Sequence, residues 1–290
     1  METLRSLTNE NLVVACHDAG AANLIIYWLK QYKGIFFPCM EGPAKKIWAE
    51  SFPNKKNYKL DDVLNRADTL LSGTGRFNYE HQARIRAKAL GSKNIAVIDN
   101  WTNFKERFSR SDEELLPDLI LVSDYYAKNM AIKCFPKIQI KEFENFYLKE
   151  QLELINLTRK IKPRIPANNI LMVMGPTPDN IEFSSIDFFM SNLKKIGLSY
   201  NSIKIRLRIH PSEHIEKYNS VIIKYSGIEF EVITDNELFV DMAWADLVVG
   251  MFNYPMVVAL NSKIPTMSIM PPKSIKCPLP HSEIIHLREL

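Results

Sequence analysis

Residues 246–270 constrain the fold more than any other stretch of the chain. The run Asp246-Leu-Val-Val-Gly250 is short, apolar and closed by a glycine, as a buried strand entering a tight turn would be. Asn253 can start a helix, Pro255 fits its first turn, and a second apolar run follows at residues 264–270. This is a β-α-β unit. The helix presents unpaired N–H groups and the positive end of its dipole at the switch, which suits an anion. Residues 11–30 read the same way: an apolar run, a loop His17-Asp18-Ala-Gly20-Ala-Ala-Asn23, then apolar residues at helical spacing.

Between these two units, short apolar runs alternate with helical patterns. Strands are expected at 12–16, 34–38, 69–72, 94–98, 119–122, 169–174, 203–209 and 228–233. All-apolar strands separated by helices imply parallel sheets covered on both faces. Two prolines in Lys162-Pro-Arg-Ile-Pro-Ala-Asn168 stiffen an extended stretch. The expected organisation is therefore α/β, with two Rossmann-like lobes facing a cleft. Residues 1–160 form the first lobe, 161–168 a linker and 169–290 the second.

Composition narrows the function classes. With 290 residues, 46% hydrophobic and 24% charged, the chain has the balance of a globular protein. A net charge of +4, with basic and acidic residues interspersed, gives no nucleic-acid stripe. The four cysteines, Cys16, Cys39, Cys134 and Cys277, form no Cys-x-x-Cys pair, so neither zinc nor redox chemistry is expected. Residues 1–6 lack the apolar core of a secretory leader, and no run approaches a membrane span. A cytoplasmic location is the expectation, with peripheral contact at the inner membrane face left open. No Asp-x-Asp pair, nucleotide-triphosphate loop, Gly-x-Ser-x-Gly elbow or His-Glu-x-x-His pair is present, so no metal or cofactor is expected.

In open parallel sheets, ligands bind beyond the carboxyl ends of strands, so the loops there hold the candidate residues. His17 and Asp18 are an acid/base-capable pair at the end of the first strand, although Asp18 could simply cap the next helix. Ser72-Gly73-Thr74-Gly75 could cradle a ligand or be a plain turn. Asp99-Asn-Trp101-Thr-Asn103 offers a carboxylate, an aromatic ring and amides. That combination suits sugar hydroxyls and apolar sugar faces, with Asp99 a candidate base. In Arg206-Leu-Arg208-Ile-His210-Pro-Ser-Glu213, residues 206, 208 and 210 share one strand face. Arg208 and His210 could hold a diphosphate, and Glu213 could accept from a hydroxyl. Gly250 and Asn253 belong to the same anion-binding edge.

Arg208-Ile-His-Pro-Ser-Glu213, the Asp246-Leu-Val-Val-Gly turn and Ala259-Leu-Asn-Ser-Lys-Ile-Pro-Thr-Met-Ser-Ile269 together resemble the donor lobe of GT-B-type glycosyltransferases that build bacterial capsule and O-antigen. In the first lobe, His17-Asp-Ala-Gly-Ala-Ala-Asn23, Ser72-Gly-Thr-Gly75 and Val97-Ile-Asp-Asn-Trp-Thr-Asn-Phe-Lys-Glu-Arg-Phe108 resemble segments of surface-polysaccharide-locus proteins. The resemblance implies a metal-independent glycosyltransferase. Arg208, His210, Glu213, Gly250 and Asn253 would hold the phosphates of an activated donor, either a sugar nucleotide or phosphoribosyl pyrophosphate. Trp101, Asn103, Ser72 and Thr74 would bind a glycan acceptor, lipid-linked or free. Asp18, Asp99 and His17 would carry the proton chemistry. Two alternatives share the architecture: a non-hydrolysing UDP-sugar 2-epimerase and a non-catalytic glycan-binding or assembly protein.

Overall fold

The computed structural model describes residues 4–110, 113–160, 163–177, 180–234 and 236–290. The chain divides into two compact units, Met1–Tyr147 and Leu148–Leu290, each built on a six-stranded, wholly parallel sheet. Both are Rossmann-like α/β units, as the sequence pattern predicts.

The first unit contains β1 (Asn11–Cys16), β2 (Ile35–Met40), β3 (Thr69–Ser72), β4 (Lys93–Ile98), β7 (Leu119–Val122) and β8 (Gln139–Glu142), in the spatial order β2-β1-β3-β4-β7-β8. A two-stranded antiparallel ribbon, β5 (Ser109–Arg110) with β6 (Glu113–Glu114), interrupts the β4–β7 connection. The period of two explains why the sheet is apolar on both faces. Leu12, Val14 and Cys16 pack with α2 (Ala19–Lys30) and α3 (Gly42–Ser51), while Val13 and Ala15 pack with Ala83 and Ala87 of α5 (Asn78–Ala89). Trp28 and Trp48 are fully buried on the first of these faces, and truncating either to Ala would cost about 3–5 kcal/mol. Helix α5 stops where expected, because Gly91 takes φ +74°, a conformation that suits glycine.

The second unit contains β9 (Asn169–Val173), β10 (Lys204–Arg208), β11 (Glu229–Ile233), β12 (Leu247–Gly250), β13 (Thr266–Ser268) and β14 (Ile285–His286), in the order β11-β10-β9-β12-β13-β14. Its core gathers Ile170 and Met172 of β9, Ile205 and Leu207 of β10, and Ile186 and Phe189 of α8 (Ile181–Ser191). The remaining helices that matter here are α7 (Phe146–Thr158), α10 (Leu238–Trp244) and α11 (Tyr254–Asn261). The division between units falls at the start of α7, ahead of the proline-containing stretch at 161–168. No helix among the described residues is long and apolar enough to cross a membrane.

Strand order locates the switch points. In the first unit the chain runs outward from β1 to β2, then returns to β3 on the other side of β1. In the second it runs from β9 to β10 to β11, then returns to β12 on the other side of β9. The crevices to inspect therefore lie beyond the carboxyl ends of β1 and β3, and of β9 and β12.

Candidate functional site

At the first unit's switch point, three carboxylates and an imidazole converge. The His17 amide, just past β1, donates to Glu80 Oε1 at 2.8 Å. Its ring packs on Phe77 with centroids 4.5 Å apart, and Nδ1 lies 2.7 Å from Asp18 Oδ1. Gly42 has φ +47°, and a Cβ there would sit 2.5 Å from His17 Nε2, so only glycine leaves room for this ring. Asp18 occupies the N-cap position of α2 without a side-chain capping bond. Its carboxylate instead turns to His17 and lies against Gly75, where a Cβ would come within 2.4 Å of Oδ2.

Asp99, at the end of β4, reaches the same place. A Cβ on Gly20 would sit 1.9 Å from Asp99 Oδ2, so this carboxylate rests on the first turn of α2, where the helix dipole favours negative charge. Arg107 fixes its other oxygen: Nη1 donates to Asp99 Oδ1 at 2.8 Å and to Thr74 Oγ1 at 3.0 Å. Asp18, His17 and Asp99 keep side-chain exposures of 34%, 20% and 17%, enough for a ligand to touch them.

Glu80 differs from these three. It is wholly buried, and its Oε2 has no hydrogen-bond partner. Burial pushes its carboxyl above the usual glutamate value, and the Asp18 charge adds to this; the His17 amide and Arg84 pull the other way. Buried Arg84 donates to Gly73 O at 2.9 Å and Ser72 Oγ at 3.2 Å. Desolvation brings its pKa down to about 10, which leaves it charged at neutral pH.

Neither Glu80 nor Arg107 was assigned a role from the sequence. The expected acceptor groups are placed otherwise than their composition suggested. Trp101 is 2% exposed and donates its indole N–H to Asp124 Oδ2 at 2.8 Å, so it offers no open platform. Ser72 and Thr74 are buried; Thr74 donates to Val97 O at 2.7 Å, and Ser72 accepts from Arg84. Of that group Asn103 alone is exposed, in a left-handed turn at φ +57°.

At the second unit's switch point the groups are mostly neutral donors. His210 follows β10 and Asn253 follows β12, and they flank the end of β9. The strands that lead to them, β10 and β12, lie two strand spacings apart, about 10 Å. His210 Nδ1 lies 2.7 Å from Ser212 Oγ and 3.2 Å from the Ser212 amide; with Nδ1 accepting from that amide, the ring proton is on Nε2, which can then donate to a ligand. Partial desolvation lowers the pKa of this exposed residue, with Glu213 partly offsetting it, which favours the neutral form. Asn253 has N-cap geometry but does not cap α11 with its side chain. Nδ2 donates instead to Val173 O at 3.1 Å, leaving Oδ1 buried without a partner and the first amides of α11 uncapped by it. Gly175, the loop residue after β9, meets only Asn253 Nδ2 at 3.7 Å from an ideal Cβ, so backbone is open to a ligand here.

The other expected phosphate residues have structural partners. Arg208 Nη1 donates to Asp241 Oδ2 at 2.7 Å and to Asn236 O, and Asp241 is wholly buried. That pairing satisfies a buried charge and engages Nη1 of a side chain that remains 21% exposed. Glu213 joins Lys217 and Tyr218, and Lys217 also bonds buried Glu182, to which Thr177 donates. This network ties the loop after β9 to the loop after β10. At Gly250 a Cβ would meet Val173 O at 2.9 Å, so its role is close packing of β12 on β9. No cluster of three metal-ligating side chains occurs among the described residues.

Comparison with solved structures matches this arrangement along nearly the whole chain. UDP-GlcNAc 2-epimerase from Neisseria meningitidis, bound to UDP-GlcNAc, superposes with a TM-score of 0.62 at 12% identity, covering 89% of this chain and 82% of that one. The shared fold is that of UDP-GlcNAc 2-epimerases. The enzyme from Methanocaldococcus jannaschii, in complex with UDP-GlcNAc and UDP, gives 0.63 at 13% identity, over 89% and 83%. OtsA in its apo form gives 0.50 at 9% identity, over 90% and 84%. No family model matches the chain, and no curated protein matches it. The GT-B-like architecture expected from the motifs is thus the observed one, and its likeness to epimerases exceeds that to OtsA.

Proposed function

We propose that the protein is a UDP-sugar-processing enzyme that inverts C2 of a UDP-N-acetylhexosamine without hydrolysing it. The observation carrying this reading is the convergence of Asp18, His17 and Asp99 at the β1/β3 switch point, on a fold shared with epimerases. Inversion at C2 removes a hydrogen from one face of the carbon and returns one to the other, so it needs both a base and an acid. The first unit supplies more than one group of that kind: Asp99 held by Arg107, and the Asp18–His17 pair. Glycosyl transfer, the function implied first by the motif resemblance, needs a single base and an acceptor platform, and the ring expected to form that platform is buried.

In this reading the second unit supplies the diphosphate contacts. His210 donates from Nε2, and the start of α11, with the positive end of its dipole, lies at the same edge of the sheet. Such fixed donors lose no reorganisation energy when the anion binds. Asp99 and the Asp18–His17 pair take the proton from C2 as the C1–O bond to UDP breaks and a C1=C2 double bond forms, and return a proton to the opposite face as UDP adds back at C1; Glu80 keeps the His17 backbone in place. Incubating the protein with UDP-N-acetylglucosamine and no acceptor, and separating the products, tests the proposal. Formation of the C2 epimer supports it. Unchanged substrate, or sugar transfer only after a glycan acceptor is added, would refute it.

A further inference from the structure

The opposite edge of the second unit's sheet carries a basic cavity that this reading does not use. It has a volume of about 380 Å³, within the range of small-ligand sites. Arg159, Lys160, Arg164 and Arg206 line it, together with Trp244 and Asp246. Asn169 begins β9 and Asp246 precedes β12, so the cavity sits at the amino ends of the strands. It is about 15 Å, the length of β9, from the edge that holds His210 and Asn253.

Four basic side chains here face one lining carboxylate, Asp246. Asp246 accepts the backbone amides of Arg164, Asn168 and Asn169 at 2.8, 3.2 and 2.9 Å, so its lone pairs serve the chain. Arg159 turns one guanidinium nitrogen to the carbonyls of Met242 and Ala245 at the end of α10, while its Nε is buried without any acceptor. Burial works against its charged form, with Asp246 only partly compensating. An arriving anion would relieve that cost. Lys160 and Arg164 are exposed and form no ion pair with a described residue. Arg206 is the exception: it pairs with Glu231 at 3.0 Å and lies 4.3 Å above the Trp244 ring, so it braces the aromatic wall.

We propose that this cavity is a second anion site that takes a small phosphomonoester, with the phosphate on Arg159, Lys160 and Arg164 and its organic body against Trp244. Guanidinium groups suit the paired oxygens of a phosphate, and the volume admits one phosphate on a compact body. The same chemistry could come from a free metabolite or from a phosphomonoester lipid headgroup.

Calorimetry of the full chain with glucose 6-phosphate, beside sedimentation with vesicles containing phosphatidic acid, separates the two sources. Saturable binding of glucose 6-phosphate is expected, weakened at least tenfold by Arg164→Glu and by Arg159→Met, with UDP affinity unchanged. Binding to vesicles alone, lost in the same variants, assigns the site to the lipid source. Absence of saturable binding to both probes, or equal binding by wild type and by folded Arg164→Glu, would overturn the site. Arg164 is exposed and its side chain bonds no described residue, so that variant reports on the site even if Arg159→Met destabilises the chain.

Discussion

The carboxyl edges of the two sheets are built from different chemistry. The first gathers charge: Asp18, Asp99, Glu80 and His17, with Arg84 and Arg107 holding the loops behind them. The second gathers neutral donors, the His210 Nε2 proton and the uncapped start of α11, while its charged residues pair with one another. Glycines serve the first edge by admitting side chains, since Gly20, Gly42 and Gly75 each give up space to Asp99, His17 and Asp18. In the second, Gly175 leaves backbone open. An edge of part-exposed carboxylates beside an imidazole can move protons; an edge of fixed neutral donors can hold an anion without moving any.

If that contrast is right, substitutions at the two edges should separate turnover from binding. The largest effect is expected at Asp99. Asp99→Asn keeps the size and the contact with Arg107 but removes the base, so turnover of UDP-N-acetylglucosamine should fall by about 10²–10⁴. UDP affinity by calorimetry should stay at the wild-type value. Equal losses in both measurements would mean the first edge is not specialised for chemistry. Gly20→Ala should come close behind, because its Cβ would occupy the position of Asp99 Oδ2. Activity should drop steeply while circular dichroism stays unchanged; full activity would show that the carboxylate works from elsewhere.

His210→Ala is the converse case. Losing one hydrogen bond to a charged phosphate costs about 1.5–3 kcal/mol, so UDP affinity should weaken roughly tenfold to a hundredfold. Unaltered UDP binding would remove His210 from the site. Arg208→Leu sharpens the distinction further, since its partner Asp241 is wholly buried. Breaking such a pair destabilises by up to about 3–5 kcal/mol, with Arg206 nearby softening the loss. The melting temperature should fall while UDP affinity of the folded protein holds.

The smallest effect concerns Glu80. Burial raises its pKa in the folded chain above the ordinary value of 4.5, so its protonated form is the one that favours folding. Stability contributed by that proton is present at low pH and is lost as pH rises through the folded pKa. Glu80→Gln removes the titration. Its melting temperature relative to wild type should therefore improve as pH goes from 4.5 towards neutrality. A pH-independent difference would mean that Glu80 titrates normally.

The strands that the sequence displays plainly are those buried on both faces, such as Leu119–Val122 and Leu247–Gly250, because complete burial selects unbroken apolar runs. The strand Gln139–Glu142 was not anticipated. It is an edge strand with exposed and half-buried residues, so no apolar run marks it. The same logic applies to the site. His17, Asp18, Asp99, His210 and Asn253 could be picked out because they sit in loops directly after apolar strands. Glu80 and Arg107 could not, since their importance lies in contacts 63 and 8 residues away along the chain. Arg208 and Trp101 show the reverse. Their residue types suggested ligand contacts, but a buried carboxylate claims the first and core packing claims the second.

Proton exchange at C2 tests the account most directly. The protein would be incubated in D2O with UDP-N-acetylglucosamine alone, and the sugar followed by NMR. Deuterium should appear at C2 together with the epimer, and neither should appear with Asp99→Asn. Retention of the C2 proton by wild type, with the nucleotide bound, would contradict it.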